Sequence, residues 1–171
     1  MKEYLIIDGY NIINNWEDLK REMDTSLDAA RQKLLETMSD YQGFTRVKVI
    51  VVFDAHCVKN SMEKHEKYNG VEVVFTKEFE SADGYIERLT ALIAKDNVVK
   101  VATSDYLEQM LALGLGAIRL SARELKIEID SMRRRMNSAF IEKVKAKNNS
   151  LEHLLDEKTR AIFEKWRKEG L

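Results

Sequence analysis

Acidic side chains close four apolar runs in this chain. Asp8 follows Tyr4-Leu5-Ile6-Ile7, and Asp54 follows the run at 47–53. Glu80 and Asp83 come shortly after the run at 71–75, and Asp105 shortly after 98–102. Carboxylates gathered in one place repel one another, and their pKa values rise unless a cation sits among them. Such hard oxygen donors select Mg²⁺ or Mn²⁺. An ion of that kind makes a bound water more acidic and neutralises charge on a phosphoryl group, which is the chemistry of phosphodiester hydrolysis. Each acid also has a plainer reading, because Asp after a strand caps the next helix or fits a turn. On those grounds Asp54 is the weakest member. The coincidence at four strand ends argues more strongly than any single acid. Asp8 leads, because it ends the most apolar run. Asn11 follows closely enough to orient Asp8 or a phosphate, or to cap a helix.

The acids can meet only if the runs before them form one sheet. Short continuous apolar runs bounded by turn residues read as strands buried on both faces. The spacing predicts strands at 4–8, 47–53, 71–75, 98–102 and 117–120, with helical patterns between them. Right-handed parallel crossovers then give an α/β doubly wound sheet of about five strands. Its carboxyl-end rim is where open α/β sheets place their ligands. Gly9 is read as a sharp turn after Asp8. A short helix or turn carrying Trp16 is expected at 12–19, and a helix from Leu27 to Tyr41 that Gly43 ends. Residues 55–69 show no clear pattern, and Asn69-Gly70 leads into the third strand. Ser121-Ala122-Arg123-Glu124 reads as a capping box. The stripe Leu125, Ile129, Met132, Met136, Phe140 and Val144 reads as packing, within the protein or against a second copy. Asn148-Asn149-Ser150 reads as a turn before a last helix marked by Leu151, Leu155, Ile162, Phe163 and Trp166.

The chain has 171 residues, 44% hydrophobic and 33% charged, enough for a buried core. Net charge is −1, but residues 1–118 hold 14 basic and 20 acidic side chains, and residues 119–171 hold 14 and 9. An acidic body with a basic tail hints at a polyanion partner. Arg133, Arg134, Arg135, Lys143, Lys145 and Lys147 would be phosphate contacts, or else a solvated helix face. Cys57 is the single cysteine, which excludes a disulfide and a cysteine-based zinc site. His56 and His65 could join a carboxylate around zinc, but their spacing favours surface histidines. No apolar run is long enough for a membrane span, and the opening residues lack a signal-peptide pattern. A soluble, cytoplasmic protein is expected. No Gly-rich phosphate loop of the nucleotide-hydrolase type is present.

Asp8-Gly9-Tyr10-Asn11-Ile12-Ile13 resembles the opening of the NYN family, which is related to PIN-domain nucleases. Further segments resemble its YacP-like branch: Tyr41-Gln42-Gly43, Val51-Val52-Phe53-Asp54-Ala55-His56 and Gly70-Val71-Glu72-Val73-Val74-Phe75-Thr76-Lys77. So do Ala82-Asp83-Gly84-Tyr85-Ile86-Glu87, Thr103-Ser104-Asp105 and Leu120-Ser121-Ala122-Arg123-Glu124-Leu125. The motifs occur in family order over residues 4–125. The resemblance implies a PIN-like three-layer α/β/α domain over 1–125, with strand order 3-2-1-4-5. Residues 126–171 would be a basic helical extension. It implies a divalent-metal endoribonuclease using Mg²⁺ or Mn²⁺, with mRNA in the ribosomal A site as substrate. Asp8, Asp83 and Asp105 would hold the metal, with Glu80 as a fourth ligand or base. Asn11 and Ser104 would support those acids, and Asp54 would be accessory. Water would attack in line, leaving a 5′-phosphate and a 3′-hydroxyl. Arg123 and the basic residues after it would grip RNA or the ribosome. A monomer is expected. Two other readings fit less well. A haloacid-dehalogenase-type phosphatase needs a second Asp where this chain has Tyr10. A non-catalytic RNA- or ribosome-binding protein would have no need of these acids.

Overall fold

A computed structural model describes residues 1–55, 62–153, 161–162 and 164–165, with side chains through residue 147 and at 161, 162, 164 and 165. The chain runs β1 (Glu3–Asp8), α1 (Gly9–Asn15), α2 (Glu17–Thr25), α3 (Leu27–Thr45), β2 (Lys48–Phe53), β3 (Lys64–Tyr68) and β4 (Val71–Phe75). It continues through α4 (Ala82–Ile93), β5 (Val98–Ala102), α5 (Tyr106–Gly114), β6 (Ile118–Leu120) and α6 (Ala122–His153). Two compact units divide it, Met1–Ile129 and Asp130–Leu171.

The first unit is built on one six-stranded sheet in the order β3-β4-β2-β1-β5-β6. All neighbours are parallel except β3 and β4. The five expected strands keep their expected order. The sixth, β3, was missed because Lys64-His65-Glu66-Lys67-Tyr68 has no apolar face. It is an edge strand whose first four residues are exposed. Asn69 and Gly70 both take positive φ, 46° and 92°, the mirror-image hairpin turn that Asn-Gly favours.

β1 lies at the centre, with Leu5, Ile6 and Ile7 fully buried. Successive side chains point to opposite faces. Ile6, Ile50, Val52, Val74, Val99 and Val101 form one core with Ala82, Tyr85 and Ile86 of α4 and Ala112 of α5. Each of the larger apolar side chains contributes on the order of 2 kcal/mol by leaving water. On the other face Lys100, opposite Leu5 in register, reaches Glu128 of α6 at 3.1 Å. Tyr41 of α3 donates its hydroxyl to the same carboxylate. Trp16 separates α1 from α2, and its indole N–H donates to the Ala122 carbonyl at 2.8 Å.

Three local readings change. Gly9 has no positive φ; it is the first residue of α1, and a Cβ there would lie 2.3 Å from the Phe53 ring. It serves close approach rather than a turn. Gly43 lies within α3, and Arg46 at φ 63° ends the helix instead. The helix α6 runs through residues 148–150, where a turn was expected. Asn and Ser are only mildly unfavourable in a helix, and no Pro or Gly enforces a break. Along α6, Leu125 and Ile129 are buried, and Met136, Phe140 and Val144 are exposed. Of the expected last helix, Leu151 falls in α6 and Ile162 in a helical stretch. His56, Cys57, Leu155, Phe163 and Trp166 lie outside the described residues.

Candidate metal centre

Asp8 follows the alternation of β1, so it leaves the sheet on the face of Ile6, where α4 and α5 pack. It caps α1, accepting from the Asn11 amide at 3.2 Å. Ser81 caps α4 through the Gly84 amide, which sets Asp83 in that helix's first turn. Asp105 caps α5 through the amides of Leu107 and Glu108, at 2.8 and 3.1 Å. Three helix N-termini therefore converge on the rim, and their unpaired amides and dipoles favour negative charge there.

One carboxylate oxygen from each of Asp8, Asp83 and Glu108 lies within 4.8 Å of the others. Glu108 is 4% exposed, and neither of its oxygens meets a protein partner at hydrogen-bonding geometry. Burial lifts its carboxyl to about 8, the approach of the Thr103 hydroxyl opposes that rise, and Asp8, Asp83 and Asp105 add to it. Burial likewise lifts Asp8 to about 6, against the Asn11 hydrogen bond and helped by Asp83, Asp54 and Asp105. Asp83 is also raised, first by burial and then by Asp105, against the approach of the Glu108 carboxyl. Hard oxygen donors at this separation, one pair of them buried, fit a divalent cation. The cluster can hold such an ion.

Of the acids read from the sequence, Asp8 and Asp83 come together. Asp105 is an exposed helix cap that borders the cluster and raises all three of its members. Asp54 faces the same cleft as Asp8 and Asp83. Glu80 is turned away, accepting from Arg88 at 2.8 Å. Asn11 and Ser104 sit behind the acids as a brace. The Asn11 carboxamide oxygen accepts from the Ser104 amide at 2.7 Å, and the Ser104 hydroxyl accepts from the Ala122 amide at 3.1 Å. This chain of bonds ties the end of β1 to the end of β5 and the start of α6. His65 pairs with Glu63, which shares Arg88 with Glu80, and is not a member of the Asp8–Asp83–Glu108 group. Arg123 and the basic side chains at 133–135, 143, 145 and 147 are exposed.

Glu108 is the residue that sequence reasoning missed. An acid in a helix's first turn is ordinary, and Asp105-x-x-Glu108 has the spacing of a capping box. At 121–124 that box forms, with Glu124 accepting from the Ser121 amide at 2.7 Å. At Asp105 the amide is already held by the Thr103 hydroxyl at 3.1 Å. Glu108 is thus left to turn inward. Thr103 decides this from a fully buried position that only the fold reveals.

Comparison with known proteins identifies the family. The model of the YacP-like NYN domain matches residues 5–168. The chain is 42% identical to the Bacillus subtilis protein YacP over 172 aligned positions, covering 99% of each. The crystal structure of Rae1 (YacP) from Bacillus subtilis superposes with a TM-score of 0.68, at 42% identity, covering 97% of this chain and 95% of that one. A tryptophan-to-leucine variant of that protein gives a TM-score of 0.70 at 36% identity, covering 95% and 98%. No helix among the described residues is long and apolar enough to cross a membrane. With a matching sheet, an acid cluster on its rim and a relative alike from end to end, the chain belongs to the YacP-like NYN domain family, a nuclease-type domain.

Proposed function

We propose that this protein is a divalent-metal-dependent endoribonuclease that cleaves mRNA in association with the translating ribosome. The observation that carries the nuclease reading is the meeting of Asp8, Asp83 and Glu108 within 4.8 Å, with the Glu108 carboxyl buried. A structural role alone gives little reason to bury an acid beside two others.

Asp8, Asp83 and Glu108 would hold Mg²⁺ or Mn²⁺, with Asp105 adding charge at the border. When bound, the ion supplies a more acidic water and neutralises charge on the scissile phosphoryl group. Glu108 keeps its proton at neutral pH and must release it to become a ligand. Asn11 and Ser104 keep Asp8 and the β5 end in fixed relation, so the acids are positioned before RNA arrives. Glu80, paired with Arg88, is the reserve acid of the proposal rather than a member of the cluster. The family resemblance supports mRNA in the ribosomal A site as the substrate. The exposed basic residues, Arg123 and those at 133–135, 143, 145 and 147, support contact with a polyribonucleotide.

The test is cleavage of a translated mRNA, with and without ribosomes, in Mg²⁺, Mn²⁺ or EDTA, by the wild type and by Asp8→Asn. Cutting that needs both the ion and Asp8 upholds the nuclease, and dependence on ribosomes upholds the substrate. RNA or ribosome binding with no cutting in any condition overturns it in favour of a binding module.

A further inference from the structure

Beside the acid cluster lies a cleft of about 510 Å³ whose lining is mixed in character. Asp8, Asp54 and Asp83 form the charged part of the cleft. The rest of its lining is uncharged and includes Tyr10, Asn14, Met23 and Leu27. Met23 is half-buried and Leu27 is 38% exposed, so apolar surface is left facing the opening. Tyr10 is held firmly: its ring packs 5.0 Å from that of Phe53, and the Arg31 guanidinium lies 5.8 Å from its centre. A fixed aromatic ring is a contact surface that loses little conformational freedom on binding. Asn14 donates to the Tyr10 carbonyl at 2.9 Å, which orients its carboxamide and leaves the oxygen to accept from a ligand.

The volume falls within the roughly 300–1,000 Å³ of small-molecule sites. A cation held by Asp8 and Asp83 would draw a phosphate to the acid cluster, while Tyr10, Asn14, Met23 and Leu27 offer an anion no positive charge. A flat, neutral, partly apolar group with polar edges suits this uncharged lining. A base still paired in a helix cannot enter a cleft of this kind, whereas an unstacked one can. We propose that the cleft seats one unpaired nucleobase of the RNA, adjacent to the phosphate at the acid cluster. The neutral lining at Tyr10, Asn14, Met23 and Leu27 is its contact surface. This inference rests on the nuclease reading for its substrate, and its test separates the two.

The experiment uses the full chain and a short single-stranded RNA with one cut site, together with a series in which one base at a time is removed. The variant is Leu27→Asn, an exposed position just after the Ser26 helix cap, with Asn14→Ala as a second. Stacking and packing of one base are worth roughly 1–3 kcal/mol, so kcat/KM with Mn²⁺ should fall at least about fivefold when the base is missing from one position beside the cut. Leu27→Asn should cut the intact RNA more weakly and lose this sensitivity. Affinity for the same series is measured in Ca²⁺, so that the cleft is examined even if nothing is cut. Base-dependent affinity in the wild type that Leu27→Asn abolishes upholds the cleft, with or without cleavage. Cleavage with no base-dependence overturns the cleft and leaves the nuclease. A missing-base penalty of equal size in the wild type and both variants also overturns it.

Discussion

Replacing Glu108 by Gln should make the metal-free protein more stable while disabling it. The carboxyl titrates near 8 in the native protein and at an ordinary 4.5 once unfolded. Between those values the native state holds a proton that the unfolded chain has lost. Stability from the neutral carboxyl is therefore complete below pH 4.5 and declines as pH climbs towards 8. At about 1.4 kcal/mol per pH unit, the wild type has lost about 3 kcal/mol of it by pH 7. Glutamine has the same shape, cannot ionise and loses none. In EDTA, Glu108→Gln should exceed the wild type by about 3 kcal/mol at pH 7, or a Tm difference of roughly 6–12 °C for a chain of this size. The gap should shrink to below about 1 kcal/mol at pH 5. Adding Mn²⁺ should reverse the order in part, because an ion at 100 times its Kd stabilises the wild type by about 2.7 kcal/mol and finds one ligand fewer in the variant. Urea unfolding at pH 5, 6, 7 and 8, with EDTA or Mn²⁺, reads all of this. A variant no more stable than the wild type at pH 7 to 8, or a gap independent of pH, would refute the buried neutral carboxyl and the reasoning built on it.

Other outcomes follow from the same geometry. Asp8→Asn should lower cleavage by on the order of a hundredfold or more, because the ion's several kcal/mol of charge stabilisation depend on its ligands, with an unchanged circular dichroism spectrum. Asn caps a helix as well as Asp does, so α1 is kept. Gly9→Ala should cost roughly 1–3 kcal/mol in urea unfolding, because its methyl would need the space held by the Phe53 ring. Replacing Arg133, Arg134 and Arg135 together by Ala should flatten the salt dependence of single-stranded RNA binding by a slope of about 2, since each lost phosphate contact removes about 0.7. An unchanged slope would place those side chains off the RNA.

Much of the fold was legible because its central strands are apolar throughout, and only burial on both faces of a sheet explains that. The strand order and the Asp8–Asp83 pairing followed from family motifs, and Ser121–Glu124 announced its capping box by spacing alone. β3 was invisible because an edge strand needs no apolar face, although Asn69-Gly70 carried the hairpin signal.

What the linear order determined by itself was chemistry at strand ends: which acids could gather, and on which rim. What only the tertiary structure decided was which of them do. Asp105 and Glu108 are three residues apart and look alike as helix-opening acids. The Thr103 hydroxyl, placed by the end of β5, occupies the amide that Glu108 would otherwise cap. One acid therefore stays at the surface as a cap, and the other turns into the interior to meet Asp8 and Asp83. Glu80, as promising in sequence, is drawn off by Arg88 two turns along α4. Side chains compete for partners in three dimensions, and that competition leaves no mark on the spacing of residues.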